Sequence, residues 1–137
     1  MNKNFGVLLL LLAFIFSGVA GAATIENFKA RTTQDIVDLC STPVDDPTYT
    51  AAIHFCHGYL IGAFHYYLAE SSGPEGKRLV CLPNPPPSRN EAIKMYIEWA
   101  KAHPEYMGEA AVDTEFRFLI ETWPCEEQSG QSKGGKP

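Results

Sequence analysis

The sequence has no cysteine before Cys40, no run of about 20 apolar residues and no glycine-rich phosphate loop. Its longest apolar stretch, residues 7–16, is about ten residues long, too short for a helix that spans a bilayer. This stretch lies between Lys3 and a series of small residues that ends with Ala22. Such an arrangement is typical of a secretion signal without a lipid-attachment site. We predict a signal peptide at residues 1–22, with cleavage after Ala22, and a mature chain that no longer associates with a membrane.

Positive charge is also scarce. The chain has 11 basic residues against 16 acidic ones, and the basic residue Lys3 leaves with the predicted signal. Binding to nucleic acid needs clustered Lys and Arg to neutralise phosphates. We therefore expect no nucleic-acid partner. The excess of negative charge also disfavours binding to anionic membrane surfaces.

The length of the chain allows one domain. Without residues 1–22, the 137-residue chain is long enough for one domain and hardly long enough for two. Residues 126–137 are rich in Gly, Ser, Gln and Lys and contain no apolar residue. We predict a helical domain at residues 23–125 and a disordered tail at residues 126–137.

No segment alternates between apolar and polar residues with a period of two, which disfavours β-strands. Apolar residues instead recur at three- and four-residue spacing in four segments. The predicted helix cores lie near residues 33–40, 47–70, 88–102 and 105–123. The predicted apolar stripe of the second helix consists of Tyr49, Ala52, Ile53, Cys56, Tyr59, Leu60, Ala63, Phe64 and Tyr67. That of the third consists of Ile93, Tyr96, Ile97 and Ala100, and that of the last of Tyr106, Ala110, Phe116, Leu119, Ile120 and Trp123. We predict an all-α fold, namely a small four-helix domain stabilised by two disulfides, with a long proline-rich connection between helices 2 and 3.

Local signals place the starts of these helices. Thr32 or Thr33 can cap the first helix, and Asp46-Pro47 is a start signal for the second. Ser88 and Glu91 have the spacing of a capping box at the start of the third. Pro104 interrupts the pattern and fits the first turn of the last helix.

The four cysteines are Cys40, Cys56, Cys81 and Cys125. An even number in a small exported domain favours disulfides, and three connectivities are possible. The chain has no C-x-x-C pair, which disfavours a zinc site. If sequential helices run antiparallel, Cys40 and Cys125 reach the same end of the bundle, and Cys56 and Cys81 lie mid-way along neighbouring segments. We therefore predict the pairs Cys40–Cys125 and Cys56–Cys81.

The second predicted helix carries two glycines and three histidines. Gly58 and Gly62 share a face, and each costs about 1 kcal/mol in a helix interior. We expect a close approach of another backbone there, with an exposed binding groove as the alternative. His54, His57 and His65 also share a face, but the last two lie about 12 Å apart along the axis. All three cannot bind one ion, so we expect no metal and no cofactor.

Little in the sequence points to catalysis. Paired cysteines leave no thiol nucleophile, no serine lies in a G-x-S-x-G motif, and the carboxylates are scattered. We expect that the protein is not an enzyme.

An ordered set of short motifs runs through the chain. The motifs are Leu39-Cys40, Cys56-x-Gly58-Tyr59-x-x-Gly62, Cys81-x-Pro83, His103-Pro104-Glu105, Ala110-Ala111 and Trp123-Pro124-Cys125. Over residues 34–125 this set resembles the Rap/Tai family of immunity proteins against type VI secretion amidase effectors. The resemblance implies a small α-helical periplasmic protein that binds a peptidoglycan-cleaving amidase and blocks its active site, often as a homodimer.

An inhibitor needs a semi-rigid, protruding element, because preordering lowers the entropy lost on binding. The 71–87 connection fits this need, since prolines stiffen it and Cys81 tethers it. Its charged residues, together with the aromatic residues at the adjoining helix end, can dominate an interface. The predicted partner-binding residues are Tyr66, Tyr67, Glu75, Lys77 and Arg78. The alternative function is a periplasmic, disulfide-stapled structural or chaperone-like helical domain without a toxin partner.

Overall fold

The computed structural model describes residues 23–125, and the predicted signal peptide and tail lie outside this part of the chain. The described residues form four α-helices: α1 (Thr33–Cys40), α2 (Tyr49–Ser71), α3 (Arg89–Ala102) and α4 (Ala111–Thr122). Two short 3-10 helices, Asn27–Lys29 and Pro104–Tyr106, precede α1 and α4. Residues 23–125 contain no β-strand, only an isolated bridge between Val80 and Pro124. The predicted all-α, four-helix fold is confirmed.

Two of the helices begin with capping boxes. The sequence predicts the box at Ser88 and, for α1, a cap at Thr32 or Thr33. The Asp35 amide donates to the Thr32 hydroxyl at 3.2 Å, and the Thr32 amide donates to the Asp35 carboxylate at 3.1 Å. At α3, the Glu91 amide donates to the Ser88 hydroxyl at 3.3 Å, and the Ser88 amide donates to the Glu91 carboxylate at 2.8 Å. Each box satisfies two amides that have no partner within the helix.

The other two helices begin later than predicted. Asp46 accepts hydrogen bonds from the amide and the hydroxyl of Thr48, at 2.7 and 2.6 Å, so a turn precedes α2. Pro104 opens only a three-residue 3-10 helix, and α4 starts at Ala111. The carbonyls of residues 107 and 109 accept from the first amides of α1, at 3.0 and 2.7 Å, instead of from a following helical turn.

The hydrophobic core lies between the four helices, and α1 contacts each of the other three. Ile93, Tyr96, Ile97 and Ala100 of α3 are buried, as the predicted stripe requires. The fully buried apolar residues of α2 also belong to its predicted stripe; they are Ala52, Cys56 and Leu60. Burial of one large apolar side chain contributes about 1.5–3 kcal/mol. No helix among the described residues is long and apolar enough to cross a membrane.

The buried face of α4 differs from the predicted one. Phe116 and Ile120, expected in the apolar stripe, are only half-buried at the edge of the core. The buried residues are Ala111, Thr114, Glu115, Phe118 and Leu119. Because this buried face includes Glu115 in place of Phe116, a carboxylate faces the core.

A buried cluster of three hydroxyl groups joins α1, α3 and α4. The Thr114 hydroxyl lies 2.9 Å from the Tyr96 hydroxyl and 2.8 Å from the Thr33 hydroxyl. Thr33 also donates to the carbonyl of Glu109 at 3.1 Å, and Thr114 to that of Ala111 at 3.0 Å. Together with these two carbonyls, the hydroxyls give one another hydrogen-bond partners, as buried polar groups require. Burial raises the pKa of Tyr96 to about 12.

All four cysteines form disulfides, as predicted, but the predicted pairing is wrong. The pairs are Cys40–Cys56 and Cys81–Cys125, with Cα–Cα distances of 5.3 and 4.8 Å. Cys40 ends α1 and meets the third turn of α2 after a short link, so it does not reach the end of α4. Cys81 does not lie beside the middle of α2, because backbone hydrogen bonds hold its segment against residues 123–125.

Candidate partner-binding site

Residues 72–88 connect α2 with α3 and are almost entirely exposed. This segment, called the connection below, folds back on the end of α2 near its start. A Cβ atom on Gly76 would lie 2.5 Å from backbone atoms of Glu70 and Ser71. Only glycine fits this close approach, so the sequence itself fixes the first turn of the connection.

The middle of the connection is held at two further points. The Cys81 amide donates to the Trp123 carbonyl at 2.8 Å, and the Cys125 amide donates to the Leu79 carbonyl at 3.1 Å. These bonds flank the Cys81–Cys125 disulfide. From the other side, the Tyr67 hydroxyl accepts from the amides of residues 79 and 80, at 2.8 and 2.9 Å. The connection is thereby fixed to both α2 and the end of α4.

The five predicted partner-binding residues fall into two groups. Glu75, Lys77 and Arg78 are exposed on the connection, and Tyr66 is 70% exposed on α2. Tyr67 is half-buried, with its ring centroid 5.1 Å from that of Phe116 on α4. The structure therefore gives Tyr67 a structural role in holding the connection and leaves the other four side chains at the surface.

An apolar cavity of about 130 Å³ opens where the connection meets α2, α3 and α4. We call it the Glu115 pocket. Its lining residues are Leu60, Ile61, Phe64, Leu82, Pro87, Arg89, Ala92, Ile93, Tyr96, Glu115, Phe118, Leu119 and Trp123. Glu115 is 5% exposed, and its Oε2 atom has no hydrogen-bond partner among the described residues. Burial raises the pKa of the Glu115 carboxyl to about 8.

Glu115 was not among the site residues predicted from the sequence, although a signal was present. Ala111, Phe118 and Leu119 lie four, three and four residues from Glu115 along α4. This pattern places the carboxylate on the apolar face of the helix. A carboxylate within an apolar stripe is a buried titratable group, which is a marker of functional sites.

A second, open groove runs along α2 next to the pocket. It is lined by Ile53, His54, His57, Gly58, Ile61, Gly62, His65 and Arg89, and it shares Ile61 and Arg89 with the pocket. A Cβ atom on Gly58 or on Gly62 would meet nothing within 4 Å. The predicted close backbone approach at these glycines is therefore wrong, and the groove that was its alternative is present.

The three histidines of α2 line this groove as the helical spacing predicts. The pKa of His57 is lowered by burial and, less strongly, by the nearby charges of Arg89 and His54. Residues 23–125 contain no group of three or more His, Cys, Asp or Glu side chains that could hold a metal ion.

The His103-Pro104-Glu105 motif lies at the joint between α3 and α4. Trp99, His103 and Tyr106 stack on one another, with ring centroids 4.4 to 5.8 Å apart. The Arg117 guanidinium lies over the Tyr106 ring at 4.3 Å and pairs with Glu109 at 3.1 Å. The motif thus stabilises the turn between the two helices, which is a structural role.

These features define a small, disulfide-bonded helical domain with a tethered, exposed segment, an adjoining groove and one apolar pocket. Residues 32–125 match the family model of the Rap1a immunity proteins, over a span that includes all four helices and both disulfides. The chain belongs to this family. No curated protein and no solved structure matches the chain. Family membership indicates an immunity function, that is, binding to an effector protein, and immunity proteins of this kind are generally not enzymes.

Proposed function

We propose that the protein is a periplasmic immunity protein that binds and neutralises a peptidoglycan-cleaving amidase effector of a type VI secretion system. The match of residues 32–125 to the Rap1a immunity proteins carries this proposal. The secretion signal predicted at residues 1–22 supports a location in the periplasm, where peptidoglycan and its hydrolases meet. The two disulfides suit the same oxidising compartment.

The connection is the element that we propose to dock on the amidase. It is exposed, yet it is attached to the rest of the domain at Gly76, at the Tyr67 hydroxyl and at the Cys81–Cys125 disulfide. A segment ordered in advance loses less entropy on binding than a mobile loop. Glu75 and its basic neighbours supply polar contacts, and exposed Tyr66 supplies an aromatic anchor.

The function can be tested in cells by comparing the full chain with a variant that has no signal peptide. The effector is encoded beside the protein if the proposal is right, and its expression in the periplasm should stop growth. Co-expression of the full chain should restore growth, whereas a variant without residues 2–22 should not. Growth arrest that persists with the exported, folded protein would contradict the proposal.

The role of the connection is tested by Glu75→Ala, Lys77→Ala and Arg78→Ala in one variant. The matched control replaces three exposed charges of α3, namely Lys94, Glu98 and Lys101, with alanine. Calorimetry should show at least tenfold weaker binding of the amidase to the connection variant, and an unchanged affinity for the control. Equal affinities of two variants with unchanged melting temperatures would place the interface elsewhere.

The homodimer implied by the family resemblance stays a prediction. Sedimentation equilibrium of the oxidised mature protein measures its mass directly. A mass twice that of one chain would support the dimer, and a monomer at all concentrations would contradict it.

A further inference from the structure

The Glu115 pocket has the size of one aromatic ring. Its volume is about 130 Å³, and its walls are mainly aliphatic and aromatic side chains from three helices and the connection. For comparison, an engineered cavity of about 150 Å³ lined by Leu, Ile and Phe in another protein binds one benzene molecule. The lining and the volume together favour an aromatic occupant over a long, flexible side chain.

The pocket also contains one polar group without a partner. Glu115 is 5% exposed, and its Oε2 atom accepts no hydrogen bond from any described residue. One candidate donor in the lining, the Tyr96 hydroxyl, is already bonded to Thr114 at 2.9 Å. An unsatisfied buried polar group destabilises the folded protein, and a donor supplied from outside would remove this cost.

The charge of Arg89 favours a neutral hydrogen-bond donor over a cation as the occupant of the pocket. Its side chain lines both the pocket and the groove, so a positive charge stands at the mouth. A lysine or arginine that entered the pocket would be repelled by this charge. Burial also raises the pKa of Glu115 to about 8, so a cation would have to displace a proton at neutral pH. A phenol is neutral, and its ring can lie against the guanidinium.

We propose that the Glu115 pocket receives a tyrosine side chain of the effector, whose ring fills the cavity and whose hydroxyl donates to Glu115. This inference rests on the proposed function and names the anchor point on its surface. Tyrosine is enriched among the residues that dominate protein interfaces, because its ring is apolar and its hydroxyl is a donor. Leu82 and Pro87 of the connection form part of the same pocket, so one interface covers both elements.

Small probes test the chemistry of the pocket without the effector. The oxidised mature protein is titrated with p-cresol, toluene and n-butylammonium, and amide shifts locate each probe by NMR. We expect p-cresol to bind at the pocket about tenfold more tightly than toluene, which corresponds to about 1.4 kcal/mol. Glu115→Met should remove this preference. Tighter binding of n-butylammonium, equal binding of toluene, or no binding at the pocket would overturn the proposal.

Pocket-filling variants test the occupant itself. Ala92 lines the pocket, and Ala102 is exposed near the end of the same helix. We expect Ala92→Phe to weaken binding of the effector at least tenfold and Ala102→Phe to leave it unchanged. Glu115→Met provides a second pocket variant if Ala92→Phe does not fold.

The outcomes separate this inference from the proposed function. If the wild-type protein binds the effector and the folded pocket variants bind equally well, the pocket proposal is wrong and the proposed function stands. If the wild-type protein does not bind the effector, the proposed function fails first. If the wild-type protein sediments as a dimer and Ala92→Phe as a monomer, a second copy fills the pocket and the proposal is overturned.

Discussion

The Glu115 carboxyl couples the stability of the domain to pH. Burial raises its pKa to about 8 in the folded protein, from an ordinary value of 4.5. Between these two values, the folded chain holds a proton that the unfolded chain has lost. The free energy of unfolding therefore falls as pH rises, by about 1.4 kcal/mol per pH unit from this group alone. The contribution is constant below and above that window.

We expect Glu115→Gln to remove this part of the pH dependence. Urea unfolding at pH 5, 6, 7 and 8 should show that the variant gains stability relative to the wild type as pH rises. Glu98→Gln, at an exposed position of α3, is the control and should parallel the wild type. A constant difference between the wild type and Glu115→Gln across these pH values would show that the carboxyl titrates normally.

The buried hydroxyl cluster makes Thr114 another sensitive position. Its hydroxyl contacts those of Tyr96 and Thr33 within 2.9 Å. Thr114→Val keeps the shape of the side chain and removes the central hydroxyl. The loss of partners should lower the free energy of unfolding by about 1–3 kcal/mol in urea titrations. Thr50→Val, at an exposed position, should change it by less than about 0.5 kcal/mol, and an equal effect at both positions would contradict a structural role of the cluster.

At the scale of secondary structure, the glycines of α2 and of the connection should respond in opposite directions. Gly58 and Gly62 have open space where a Cβ would lie, so alanine at either position should stabilise α2 by roughly 0.5–1 kcal/mol. At Gly76 the same change forces a Cβ against the backbone of Glu70 and should be destabilising. Thermal unfolding of the three single variants checks these signs. A destabilising Gly58→Ala would mean that another part of the protein, or a second copy, packs there.

The disulfide pairs fix which elements are joined. Non-reducing peptide mapping should link Cys40 with Cys56 and Cys81 with Cys125. In the entropic view, the bridges close loops of 16 and 44 residues and stabilise by roughly 3 and 4 kcal/mol. Replacing Cys81 and Cys125 with serine should therefore lower the melting temperature more than replacing Cys40 and Cys56 does. It should also release the connection from the end of α4. A Cys40–Cys125 peptide would contradict this structure.

The parts of the fold that local sequence determines were predictable. The cap at Thr32, the capping box at Ser88 and the buried stripe of α3 follow from local sequence alone. The start of α4 and the disulfide pairs were not predictable in this way, because they depend on distant contacts. The carbonyl of residue 109 is taken by the amide of Thr33, and Cys81 is placed by its backbone bond to Trp123.

The candidate site likewise combines features that local sequence predicts with features that depend on distant contacts. Exposure of the charged residues on the connection follows from their polarity and from the prolines around them. The pocket could not be foreseen, because it is formed jointly by α2, α3, α4 and Leu82. Glu115 was visible in the apolar pattern of α4, but the predicted stripe contained its neighbour Phe116 instead.

At the scale of the whole molecule, the two disulfides and the core hold the proposed binding surface rigid. Cys40–Cys56 fixes α1 to α2, and Cys81–Cys125 fixes the connection to the end of α4. The connection, the Glu115 pocket and the groove adjoin one another through Leu82, Ile61 and Arg89. A rigid surface on which the exposed connection lies beside the Glu115 pocket suits tight binding to a preformed cleft of the effector, because little ordering is needed on association.

Neutralisation by direct binding is tested most directly by titrating the amidase with the purified, oxidised mature protein. The measured quantity is the rate at which the amidase releases peptides from peptidoglycan. We predict that this rate falls linearly with the amount of protein added and vanishes near one equivalent of its binding sites per amidase. The connection variant should need higher concentrations for the same inhibition. An amidase that keeps its full activity in excess folded protein would contradict the proposed function.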